Sequence, residues 1–136
     1  MSAEFIDTNV LVYAHDGSAG VKHAKSVDLL SRLVEEQNGA LSVQVLAEFY
    51  AVAIRKLGMA SAEAEAVIMD LEHWTIHRPG HADLIRASRI HIGHKVAWWD
   101  SLILTSALEL GCRVLWSEDF ADRRRFGTLT VRSPFS

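Results

Sequence analysis

Asp7, Glu48, Asp100 and Asp119 each stand beside a segment whose composition predicts burial. Asp7 ends the apolar run Phe5-Ile6 and opens Asp7-Thr8-Asn9, while Asp119 closes Val114-Leu115-Trp116-Ser117-Glu118-Asp119. Asp100 follows Trp98-Trp99, and Glu48 interrupts the largely apolar stretch from Val43 to Ile54. An ionised carboxylate buried without a partner costs several kcal/mol, so such groups must be paired, protonated or bound to metal. No matching set of buried Lys or Arg is evident, whereas a divalent cation answers all four acids at once. Hard carboxylate oxygens with no clustered cysteines suit Mg2+ or Mn2+ better than structural zinc.

Short apolar runs alternate with amphipathic helical stretches, the pattern of an α/β fold with helices flanking a central, mostly parallel sheet. Strands are predicted at Ala3–Ile6, Ala40–Ser42, Trp74–His77, Arg113–Trp116 and, more weakly, Thr128–Val131. Helices are predicted over about residues 20–37, from Val43 to Leu57 with Ser42 as cap, and after Ser61 as cap. Two more span roughly His81 to His94 and Trp98 to Leu110. Ligands of such sheets bind beyond the carboxyl ends of the strands, where Asp7 and Asp119 fall. Asp100 lies in the first turn of a helix. On the helix after Ser42, the residues Gln44, Glu48, Ala51 and Arg55 make one narrow stripe in an otherwise apolar surface. Singly, Asp7, Asp100 and Asp119 read as helix caps and Glu48 as a solvated residue. Their convergence at one sheet edge, with Thr8, Asn9, Ser101 and Ser117 as companions, favours a site.

Bulk composition narrows the rest. With 136 residues, 49% of them apolar and 23% charged, the chain reads as one domain spanning 1–136, soluble and without repeats. No apolar run approaches a membrane span, and Met1-Ser2-Ala3-Glu4 is no signal peptide. The single Cys112 excludes an internal disulfide and fits a reducing, cytoplasmic setting. The net charge of −3 does not itself point to nucleic acid, so such binding requires a local basic patch. The run Arg123-Arg124-Arg125, following Asp119, is the foremost candidate for a basic rim overhanging the acids. Trp98 and Trp99 read as core. His91 and His94 at i, i+3 lack a third ligand for zinc, and no Ser-His-Asp order or Gly-rich phosphate loop is present.

Four blocks in this order resemble a known family. The opening Phe5-Ile6-Asp7-Thr8-Asn9-Val10-Leu11-Val12-Tyr13-Ala14 is similar to that of PIN domains, especially the VapC toxins of VapBC toxin–antitoxin systems. Ser42 to Arg55, Trp98-Trp99-Asp100-Ser101-Leu102-Ile103, Leu115 to Phe120 and the ending Val131-Arg132-Ser133-Pro134-Phe135 agree with it. The resemblance implies a Mg2+- or Mn2+-dependent endoribonuclease with Asp7 and Asp100 as the firmest metal ligands. Glu48 and Asp119 would complete the set, Thr8, Asn9 and Ser117 would orient it, and Glu118 has no assigned role. It also implies hydrolysis leaving a 5′-phosphate and a 3′-hydroxyl, an RNA substrate such as tRNA, a homodimer, and silencing by a VapB-like antitoxin. The basic segment Ala121 to Gly127 departs from the pattern. Competing expectations are a non-catalytic RNA-binding domain of the same fold and a structure-specific DNA nuclease. A phosphoacceptor signalling domain is a poor match, because Asp7 lacks a second acid beside it.

Overall fold

The computed structural model describes residues 3–136. The chain runs β1 (Glu4–Ile6), α1 (Thr8–Ala14), α2 (Val21–Glu36), β2 (Gly39–Ser42), α3 (Val43–Arg55) and α4 (Ser61–Asp70). It continues through β3 (Thr75–His77), α5 (His81–His94), α6 (Trp98–Glu109), β4 (Val114–Trp116), β5 (Arg125–Phe126) and β6 (Leu129–Arg132). The six strands form one sheet in the order β3-β2-β1-β4-β6-β5. Every pairing is parallel except the β5–β6 hairpin. The expected α/β architecture, a mostly parallel sheet flanked by helices, is therefore present.

The topology fixes where a ligand belongs. From β1 the chain steps outward to β2 and β3, then returns to place β4 on the other side of β1. The order reverses between β1 and β4, and in open α/β sheets the crevice beyond such a reversal is the binding position. Ile6 pairs with Trp116 in register, so Asp7 and Ser117 leave the sheet side by side. The Asp7 N–H donates to the Trp116 carbonyl at 3.0 Å, which locks the two exits together.

Local chemistry explains the elements. Asp7 caps α1 by accepting from the Thr8 N–H at 2.7 Å, and Val10 and Leu11 of that helix enter the core. The sequence pattern assigns no helix to these residues, whose single turn of apolar positions is too short to show periodicity. The Ser42 hydroxyl accepts from the Val45 N–H at 3.3 Å and starts α3. Val45, Phe49 and Ala53 then bury one face of α3 at helical spacing. Ser61 is the first helical residue of α4 rather than its cap. Ala60 holds the cap position, and its N–H donates to the Glu63 carboxylate at 3.3 Å. The segment from Ser101 to Ala107 is buried throughout, so α6 runs through the core.

The basic segment departing from the family pattern contains β5, which pairs back on β6 through the two-residue turn Gly127-Thr128. Gly127 has φ 61°, the left-handed conformation that so short a hairpin turn requires. No helix among the described residues is long and apolar enough to cross a membrane. Cys112 is buried, and burial pushes its thiol up to about 12, with the Glu4 charge adding to the rise, so it is inert at neutral pH.

Candidate active site

Beyond the β1 and β4 ends lies a crevice of about 390 Å3 that Asp7, Glu48, Asp100 and Asp119 all line. Asp7 is only 5% exposed. Its two oxygens accept from the Thr8 N–H and from the Ser117 hydroxyl, each at 2.7 Å. Ser117 also accepts from the Asp119 N–H at 3.1 Å, so one hydroxyl ties the acids of two strand ends. Thr8 links the next pair, since its hydroxyl donates to Glu48 Oε1 at 2.6 Å while its N–H holds Asp7. Asp100 enters from the first turn of α6 and is half-buried. Asn9 lines the crevice beside them.

Electrostatics define the crevice as strongly anionic. Burial pushes the Asp7 carboxyl up to about 7; the Ser117 hydrogen bond opposes the rise and the Asp119 charge reinforces it. Asp100 is raised as well, first by burial and then by the charges of Asp119 and Glu48. Among the described residues, the only cationic side chain lining the space is Arg55, from the same α3 stripe as Glu48. Gln44, also on that stripe, donates to Glu48 Oε2 at 3.4 Å and to the Trp99 carbonyl at 3.3 Å. Its own Oε1 is buried and has no hydrogen-bond partner among the described residues.

These observations test whether a divalent cation suits the residues. Among the described residues, no group of three or more His, Cys, Asp or Glu side chains already stands as a closed metal cage. Like charges without a counterion repel, and here they line a common space without closing on one point. The donor chemistry nonetheless fits. The oxygens are hard, two carboxyls are raised first by burial and then by neighbouring acid charge, and Gln44, a residue of the same lining, has an Oε1 that no donor among the described residues satisfies.

Other expected residues fall elsewhere. Arg123, Arg124 and Arg125 do not line the acidic crevice. Arg124 lies over the Phe126 ring at 4.7 Å and donates to the His94 carbonyl, while Arg125 belongs to β5. The hairpin turns this run away from the acids, and Arg55 supplies the nearby charge instead. Trp99 is 63% exposed at the crevice rather than buried, because it sits in the first turn of α6, before that helix enters the core. Trp98 is half-buried and meets His91 edge-on at 6.3 Å. The His91 and His94 rings are occupied by the Val96 carbonyl and by Phe126.

Glu118, next to Asp119, turns away from the crevice. It accepts from the Tyr13 hydroxyl at 2.6 Å and pairs with Lys22 at 2.8 Å, tying the loop after β4 to α1 and α2. Burial raises its carboxyl, but the Lys22 and Tyr13 hydrogen bonds and the Lys22 charge outweigh that and hold it below its ordinary value. Apart from the stripe that includes Gln44 and Arg55, no local signal in the sequence marks these supporting roles, since Tyr13 and Glu118 are 105 positions apart.

Residues 5–125 match the PIN domain family model. A search of curated proteins finds no significant match. Among solved structures, the VapC20 sarcin–ricin-loop-cleaving toxin of Mycobacterium tuberculosis superposes with a TM-score of 0.68 at 16% identity, over 86% of this chain and 90% of that one. A toxin–antitoxin complex from Klebsiella pneumoniae gives 0.69 at 20% identity, over 97% and 98%. DNA-bound VapBC from Salmonella typhimurium gives 0.68 at 16% identity, over 98% and 99%. At such identities these structures establish likeness of fold alone. The family match spans most of the chain, in agreement with the sheet order and the acidic switch point, and this protein belongs to the PIN domain family.

Proposed function

We propose that this protein is a divalent-metal-dependent endoribonuclease, acting in the cytoplasm as the toxin of a toxin–antitoxin pair, with residues 1–136 as its nuclease domain. One observation carries the reading: four carboxylates line the switch-point crevice, Asp7 buried among them, with Arg55 as the only cation there among the described residues. Membership of the PIN family and the likeness in fold to toxin–antitoxin proteins support it.

Asp7 and Asp100 would hold Mg2+ or Mn2+, with Glu48 and Asp119 completing the set directly or through water. A bound ion of this kind supplies Lewis-acid polarisation of a phosphate and acidifies a water molecule. The chain's own groups do the positioning. Ser117 and Thr8 hold the Asp7 oxygens in fixed directions, and Thr8 fixes Glu48 against them. Arg55 offers a charge to a phosphate flanking the scissile one, and the exposed Trp99 ring offers a stacking face to an unpaired base. A VapB-like antitoxin would silence the site by setting a cationic side chain such as arginine among the acids. Homodimerisation belongs to the same reading, and light scattering giving only monomer at micromolar concentration would count against it.

The test is cleavage of total tRNA and of a generic single-stranded RNA with Mg2+, Mn2+ or chelator. Asp7→Asn and Asp100→Asn should each lower cutting by a hundredfold or more, and chelator should abolish it. Equal cutting by parent and variants would refute the assignment. Metal-loaded parent that binds RNA without cutting would indicate a binding domain, and preferential cutting of DNA a DNA nuclease.

A further inference from the structure

On the half of the sheet formed by β4, β6 and β5, burial alternates along the strands. Leu115, Leu129 and Val131 are buried, while Val114, Trp116 and Thr130 are half-buried and Arg132 is exposed. Parallel strands ordinarily have both faces covered, so a parallel pair with one open face is unusual. The register shows what that face carries. Thr130 pairs with Val114 on one side and with Arg125 on the other, and Arg132 pairs with Trp116. A cleft of about 280 Å3 opens there, lined by Arg113, Val114, Arg125, Thr128, Thr130 and Arg132. Strand geometry sets Arg132 about 7 Å along β6 from Thr130, and β5 and β4 about 10 Å apart across it, distances that long arginine side chains bridge.

The cleft is rich in donors and poor in counterions. Arg113 and Arg125 make no ion pair among the described residues. Among the described residues Arg132 has Asp122 as its one anionic partner, at 4.0 Å, and its guanidinium lies 5.9 Å from the Trp116 ring centre; the Asp122 Oδ1 also accepts from the Ser133 N–H at 2.8 Å. In a chain of net charge −3, three guanidinium groups and two hydroxyls facing one small space form a local exception to the overall charge. Planar guanidinium forks match the oxygens of a phosphate.

We propose that Arg113, Arg125 and Arg132 form a phosphate-binding site on the open sheet face, separate from the acidic crevice, which holds a backbone phosphate of the RNA at a distance from the cut. The proposal rests on the ribonuclease reading above. It makes the cleft an anchoring site for long substrates. A net-negative protein with an acidic crevice needs such cationic contacts to hold a polyanion.

The test uses the full chain carrying Arg113→Gln, Arg125→Gln and Arg132→Gln together, with the single Arg113→Gln and Arg125→Gln variants measured alongside in case the triple variant does not fold. Binding to total tRNA is measured with chelator present from 50 to 200 mM KCl, and cleavage is measured on tRNA and on a tetranucleotide too short to span both sites. The triple variant should bind tRNA about tenfold more weakly at physiological salt, with a log–log salt slope shallower by about one. Its tRNA cleavage should fall in parallel, and its tetranucleotide cleavage should match the parent's. Unchanged tRNA affinity and slope in the triple and both single variants would overturn the proposal. So would an equal loss on the tetranucleotide, which would make these arginines part of the crevice. Thermal stabilisation of parent but not variant by inorganic phosphate, with tRNA affinity equal, would assign the cleft to a free anion. An acidic peptide bound there while RNA affinity is unaltered would assign it to a protein partner. If the parent cuts no RNA, the ribonuclease reading fails, and the binding arm in chelator still decides the cleft.

Discussion

Asp7 is held ionisable at a cost to the fold. Its carboxyl is pushed from an ordinary 3.8 to about 7, burial being the largest cause. Between those values the native state keeps a proton that the unfolded chain has released. Stability from this group is therefore full below about pH 4, falls as pH rises, and is lowest above 7, by a few kcal/mol. Asp7→Asn should leave the melting temperature in chelator unchanged at pH 4 and raise it by several degrees at pH 8, while abolishing cleavage. A variant that melts lower than the parent at pH 8 would contradict this account of the burial penalty. Glu118 gives a second expectation, since it holds the loop carrying Asp119 through Tyr13 and Lys22. Glu118→Ala should lower kcat and weaken Mn2+ binding about tenfold, in the range for partners that orient metal ligands. Glu118→Gln, which still accepts from Tyr13, should recover most of both; full activity in the alanine variant would leave Ser117 as the sole support of Asp119. The acids themselves were legible because apolar flanks mark burial, and buried carboxylates need an explanation. Trp99 was misread because an aromatic pair among apolar residues has the composition of core. Exposure came from its place in the first turn of α6, which local sequence does not encode.

Between elements, a tight steric fit lies where β2 starts beside the entry to β3. A Cβ on Gly39 would stand 2.6 Å from carbons of the Trp74 ring, well inside ordinary contact distance. A rigid ring packed against the core cannot yield cheaply, so Gly39→Ala should destabilise the protein by about 1–3 kcal/mol. Urea unfolding would show this as a lowered midpoint, and adding Trp74→Leu should restore much of the loss. Gly39→Ala at parental stability would mean that the ring moves freely. The consequence reaches the crevice, because β2 ends in Ser42, which caps α3 and so sets the height of Glu48. Long elements with strong punctuation were readable from sequence. α5 begins and ends at the predicted His81 and His94, and α6 begins at the predicted Trp98. β5 was not readable, since two residues carry no periodicity and the strand exists only through pairing with β6. The same hairpin explains why the run Arg123 to Arg125 was expected over the acids yet lies away from them. Proximity in sequence to Asp119 does not survive a turn of the chain.

At the scale of the whole molecule, the fold concentrates repulsion at its topological switch point, and an ion that relieves it should stabilise the native state. In the unfolded chain Asp7, Glu48, Asp100 and Asp119 are far apart in sequence and bind a divalent ion weakly, whereas the native sheet gathers them around one crevice. Binding to the native state alone stabilises by RT ln(1 + [L]/Kd), about 2.7 kcal/mol at a hundredfold excess over Kd. Mn2+ or Mg2+ should therefore raise the melting temperature in proportion to the logarithm of its concentration, on a background that Na+ at matched ionic strength controls for screening. The effect carries a pH signature with a fixed sign. The cation binds the ionised acids, and Asp7 holds its proton below about 7, so the metal-induced shift should be large at pH 8 and nearly absent at pH 5. Asp100→Asn, which removes a second raised carboxyl, should reduce the shift at pH 8 without altering the metal-free melting temperature as strongly as Asp7→Asn, because Asp100 is only half-buried. A melting temperature indifferent to Mn2+ at pH 8, in a parent whose cleavage nonetheless required it, would mean that the ion arrives with the RNA rather than residing among the carboxylates.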